Sequence, residues 1–138
     1  MTNTRGDAKH VASYIRALDA PPPAGPYSHA VRAGALVFAA GQGPFDSKGA
    51  LVGETFEAQA NQVFDNLAAV ARAAGTGLSR TVRLGVFLKD LRNFGEMNRI
   101  VSQRFGPNFP ARTTVQSDLP GFEIEVDAVF LAGEDGSA

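Results

Sequence analysis

Two stretches with a helical period, separated by one with a strand period, constrain this chain more than any other feature. Between residues 56 and 74, Phe56, Ala60, Val63, Leu67, Val70 and Ala74 step by fours and threes, so a helix here carries one apolar stripe. Thr55 stands where a cap belongs and Gly75 where a helix closes. A second stripe, Phe94, Met97, Val101 and Phe105, predicts a helix over 94–105. Asn93 and Glu96 have capping-box spacing, and Asn98 lies beside the stripe. Between the two, TVRLGVFL at 81–88 places Val82, Leu84, Val86 and Leu88 on one face, as a strand buried mainly from one side does.

Strands fill the flanks. Residues 28–32 and 35–41 predict a hairpin turning near Ala33-Gly34, GPFDSKG at 43–49 reads as a loop, and a short strand is expected at 50–52. Segments 112–118 and 123–131 predict two final strands on either side of Leu119-Pro120-Gly121. The order β-β-(β)-α-β-α-β-β implies an α+β two-layer sandwich, with both helices on one face of a mostly antiparallel sheet. The other face is then left to water or to a partner subunit.

Upstream, Val11, Tyr14, Ile15 and Leu18 recur at helical spacing and predict a short amphipathic helix over 8–18, within an N-terminal extension of residues 1–19. APPPAGP at 20–26 is stiff and nonhelical and leads into one domain over 20–131. Residues 1–7 and the small acidic tail, 132–138, are expected to fray.

Charge and composition exclude several functions. Thirteen basic against fourteen acidic residues, with no Lys/Arg cluster, argue against nucleic-acid binding. The absence of cysteine removes disulfides, thiolate nucleophiles and Cys-ligated zinc. No apolar run has the length of a membrane span and the start lacks the apolar core of a signal peptide, so a cytoplasmic location is expected. His10 and His29, the two histidines, lack metal-ligand spacing, and a structural or surface role is expected for both.

FPARTTVQSDLP at 109–120 carries the chemistry. Proline restricts its own φ and the residue before it, so Arg112 follows a rigid lead-in. If Leu119-Pro120-Gly121 forms a hairpin turn, Asp118 pairs with Glu123, Gln116 with Glu125, Thr114 with Asp127 and Arg112 with Val129. One face then receives Arg112, Thr114, Gln116, Glu123, Glu125 and Asp127. A guanidinium held this way is a carboxylate clamp, whereas the plain alternatives are a solvated face or an ion pair with Glu123 or Asp127. Arg112 and Glu125 lie four strand positions apart in this register, on the order of 13 Å. A site joining Arg112 of one subunit to Glu125 of a neighbour bridges that gap.

Six segments in order resemble the reactive intermediate deaminase family, RidA or YjgF: AGPYSHAV at 24–31, AAGQGPFD at 39–46, QANQVFDNLAAVARAAG at 59–75, VFLKDLRNFGEMN at 86–98, FPARTTV at 109–115 and IEVDAV at 124–129. The resemblance implies a chorismate-mutase-like fold assembled as a homotrimer with sites between subunits. It implies hydrolytic deamination of 2-aminoacrylate-type enamines and their imine tautomers to 2-oxo acids and ammonia, without metal or organic cofactor. Alternative roles are a non-catalytic, carboxylate-binding regulatory trimer, or the endoribonuclease and translation-inhibitor activities attached to some relatives. By the same resemblance Arg112 clamps the substrate carboxylate, Glu125 stands near the catalytic water with Glu123 as its competitor, Tyr27 is a catalytic residue lining the pocket, and Ala40, Gly41 and Asn98 belong to the substrate site; the plain alternatives are a core or rim aromatic for Tyr27 and a bond to a neighbouring loop for Asn98. Ala40 and Val101 depart from the family, which commonly has serine and tyrosine there. Ala40 brings no side-chain hydrogen bond to substrate or water, which points to a bulkier or less polar substrate.

Overall fold

The computed structural model describes residues 11–133. Its eight principal elements run β1 (Ala12–Ile15), β2 (Ala30–Ala33), β3 (Leu36–Gln42), α1 (Phe56–Ala73), β4 (Thr81–Leu88), α2 (Phe94–Phe105), β5 (Ala111–Gln116) and β6 (Ile124–Leu131). One six-stranded sheet has the order β1-β2-β3-β6-β4-β5, antiparallel except for the parallel pair β4–β5. Phe64, Leu67, Met97 and Ile100 of the helices and Leu84, Val86, Ile124 and Phe130 of the sheet make the core between the layers. The expected α+β sandwich is present.

The helices form for the reasons read in their stripes. Thr55 Oγ1 accepts from the Ala58 N–H at 3.1 Å, and Gly75 leaves α1 with φ of 79°. Asn93 ends a 3₁₀ turn over Leu91–Asn93 and its side chain does not cap α2, so the predicted capping box is absent. In α2 the buried residues are Met97, Ile100, Val101 and Phe105, while Phe94 is largely exposed. Residues 50–52 contribute only an isolated bridge between Leu51 and Phe45.

The predicted N-terminal helix is a strand instead. Ala12–Ile15 pairs antiparallel with Ala30–Ala33, leaving Val11, Tyr14 and Leu18 exposed. Edge pairing satisfies this backbone better than a short isolated helix, whose nucleation is unfavourable. Residues 1–10, with His10, lie outside the described residues. So do 134–138, but Ala132, placed in the tail by the sequence, is buried and its N–H donates to Ala35 O at 2.8 Å.

The last two strands do not form the expected hairpin. β6 inserts between β3 and β4, and β5 lies along the far edge of β4. A strand, helix, strand crossover returns the chain parallel to its start, so α2 delivers β5 parallel to β4, and the link from Ser117 to Glu123 carries β6 past it. Register then decides the faces. Arg112 lies beside Leu84, Thr114 beside Val86 and Gln116 beside Leu88, so all three take the helix side. In β6 the expected sorting holds: Ile124, Val126, Ala128 and Phe130 face the helices, and Glu125 and Asp127 the outer side. Arg112 and Glu125 therefore occupy opposite faces of one sheet.

No helix covers the outer face. Tyr14, Val31, Phe38 and Val129 lie side by side across four strands, and Leu36 lies beside Leu131. Tyr14 is 75% exposed and Phe38 46%, which makes an apolar band open to its surroundings.

Candidate functional site: two cavities on opposite faces

The larger cavity, about 780 Å³, opens on the outer side between the 21–27 segment, the loop after β3 and the 117–122 link. Tyr27, Gly41 and Glu125 line it. The ladder between β3 and β6 shifts register between Ala39 and Gln42, and Gly41 lies in this bulge directly beneath Glu125. A Cβ on Gly41 would stand 2.6 Å from Glu125 Oε2, so only glycine lets the carboxylate settle there. Burial, and then the Asp127 anion on the same face, push the Glu125 carboxyl above its ordinary range. Asp127 is itself 3.8 Å from Arg83 Nη1.

Tyr27 stands on the rim, and its hydroxyl oxygen accepts from the Ala24 N–H at 2.9 Å, leaving its own proton available. His29 forms part of the wall but is fully engaged. Nδ1 accepts from the Ala17 N–H at 3.0 Å, so Nε2 carries the proton and donates to Pro21 O at 2.8 Å. The structural role expected for His29 is what these bonds describe. Ala40 donates its N–H to His29 O at 2.9 Å and lines neither cavity described here.

Side chains of α1 anchor the loops around this cleft. Asn66 Nδ2 donates to Gly43 O at 2.9 Å and Phe45 O at 2.8 Å, while Gln59 Oε1 accepts from the Glu123 N–H at 2.8 Å. These contacts were missed in the sequence, although polar residues beside an apolar helical stripe are a signal for such staples. Glu123 is thereby held just before β6 and lines neither cavity, so of the two competing glutamates it is Glu125 that reaches the cleft, which Asp118 also lines.

The second cavity, about 490 Å³, lies on the helix side and is lined by Arg112, Asn98, Val101, Phe109, Pro110, Leu84 and Ser102. The Arg112 guanidinium sits 5.6 Å from the Phe94 ring centroid, with Nη1 3.5 Å from Met97 Sδ. Among the described residues it has no carboxylate partner; Asp127, one of the expected alternatives, pairs with Arg83. Such a cation, held by sulfur and an aromatic face, keeps its donors for an incoming anion. The structure brings Asn98 together with Arg112, and Tyr27 with Gly41 and Glu125, but it does not bring the two groups together within one chain. Among the described residues no group of three or more His, Asp or Glu could hold a metal ion.

The class is thus a two-layer α+β domain with a carboxylate lining one cavity and, among the described residues, a guanidinium without a carboxylate partner lining the other. The chain belongs to the endoribonuclease L-PSP family, the family of the RidA and YjgF proteins, whose sequence model matches residues 17–131. It is 41% identical over 114 residues to a RutC family protein of Pyrococcus horikoshii, covering 80% of this chain and 90% of that protein. RidA from the Antarctic bacterium Psychrobacter superposes with a TM-score of 0.81 at 36% identity, over 86% of this chain and 98% of that one. Yeast Mmf1 gives 0.85 at 29% identity, over 89% and 100%.

Proposed function

We propose that this protein hydrolyses 2-imino acids and their enamine tautomers, at sites each built from two neighbouring copies in a homotrimer. The observation that carries the reading is the division of one chemistry between opposite faces of the sheet. Arg112 and Asn98 lie on one side and Glu125, Gly41 and Tyr27 on the other. Laying the Arg112 half of one copy over the Glu125 half of another completes a pocket and covers the apolar outer band.

In such a site Arg112 holds the substrate carboxylate through two parallel N–H···O bonds and so fixes the plane of the adjoining C=N group. Glu125 acts as acid and base. Its protonated form donates to C3 of an enamine, generating the imine; its anion takes a proton from water as the oxygen adds to C2. Returning that proton to nitrogen gives the carbinolamine R–C(OH)(NH₂)–COO⁻; transfer of its hydroxyl proton to the amino nitrogen, again through the Glu125 carboxylate, breaks the C–N bond, releases ammonia and leaves the 2-oxo acid: R–C(=NH)–COO⁻ + H₂O → R–C(=O)–COO⁻ + NH₃. A carboxyl raised above its ordinary range by burial and by Asp127 holds its proton more readily than an exposed glutamate, which favours the donating step. Tyr27 offers its free hydroxyl proton at the rim. An RNA backbone is a poor fit to this cleft, where Glu125 and Asp118 supply negative charge.

The test is to generate 2-iminopropanoate enzymatically and follow its decay with added protein. Wild type should accelerate it, and Arg112→Ala should lower kcat/KM by about a hundredfold or more. Decay at the uncatalysed rate with wild type would refute the reading.

A further inference from the structure

Resting on that reading, we propose that the preferred substrate is a 2-imino acid with a large apolar side chain, an aromatic ring above all, seated against Phe45 and Phe122 beside Glu125. The three-carbon imine would fill little of a cleft of about 780 Å³, a size that suits a much larger ligand. Pro22, Leu119 and Pro120 join the two phenylalanines among the apolar residues of the cleft wall.

That wall is built rather than merely open. Phe45 and Phe122 meet edge to face, with centroids 5.3 Å apart and planes at 76°. Phe45 packs against Gly43, where a Cβ would stand 2.7 Å from its ring, and Asn66 holds the carbonyls of both residues. The spacing also fits. Gly41 carries Glu125 and Gly43 carries the aromatic pair, two residues apart along an extended backbone, roughly 6.6 Å. That is the reach of one side chain from a reacting C2 atom. Ala40, from which an apolar preference was expected, does not line the cleft, so the proposal rests on Gly43, Phe45 and Phe122 instead.

The experiment compares kcat/KM for the imines made from phenylalanine and from alanine, on wild type, Phe45→Ala and Phe122→Ala. Each buried methylene is worth about fourfold, so wild type should favour the phenylalanine imine by about tenfold or more. In both variants the ratio should fall to within about threefold of unity; because it is taken on one preparation, partial unfolding cancels. If wild type hydrolyses the alanine imine equally well or better, or if the variants keep the wild-type ratio, the inference fails and the imine hydrolase stands. If neither imine is accelerated, the functional reading itself fails.

Discussion

Glu125 owes its position to a residue with no side chain. Gly41→Ala would place a methyl 2.6 Å from Oε2 and drive the carboxylate out of the bulge, so kcat/KM should drop by about tenfold or more while circular dichroism stays unchanged. The titration of this group carries a second expectation. Its folded-state pKa is raised, so it contributes stability that is fully present below the unfolded value and lost as pH rises through the folded one. Glu125→Gln should therefore melt higher than wild type above the carboxylate range, with the difference vanishing in acid. Asp127→Asn removes the neighbouring anion and should move the Glu125 midpoint, followed by carbon NMR of its carboxyl, to lower pH. A midpoint that stays or rises would contradict this account of its charge.

At the scale of elements, the 17–21 segment that follows β1 is hydrogen-bonded to the body through the imidazole of His29. His29→Ala removes acceptor and donor together, so stability should fall by about 1–3 kcal/mol in denaturant titration, and the 17–21 segment should become protease-sensitive. Unchanged stability and protection would show that the ring is not the anchor. Long periodic elements were legible in the sequence because burial and period agree there: α1, β4 and α2 begin and end within a residue of expectation. Even in β4, Val82 was misassigned to the buried face, because a register shift between Thr81 and Arg83 turns it outward. The faces of β5 were not legible, since Leu119-Pro120-Gly121 imitates a hairpin turn while the crossover through α2 dictates parallel pairing. The same uncertainty hid the true relation of Arg112 to Glu125. Arg112 itself remained visible through its rigid approach, and Glu125 through its alternation with Ile124 and Val126. His29, Asn66 and Gln59 as loop staples depend on contacts between residues at least eight positions apart, which no local pattern announces.

For the whole molecule, two features ask for the same completion: an apolar band on an uncovered sheet face, and the proposed site, whose Glu125 and Arg112 line cavities on opposite faces of the sheet. The measurement that tests this most directly is complementation between inactive variants. Arg112→Ala and Glu125→Gln each disable every shared site when assembled alone. Unfolded and refolded together in equal amounts, they should recover about one quarter of wild-type imine hydrolysis, because a random neighbour pair supplies both intact halves about once in four. Activity no greater than the sum of the separately refolded variants, from mixed trimers confirmed by mass, would contradict a site shared between copies.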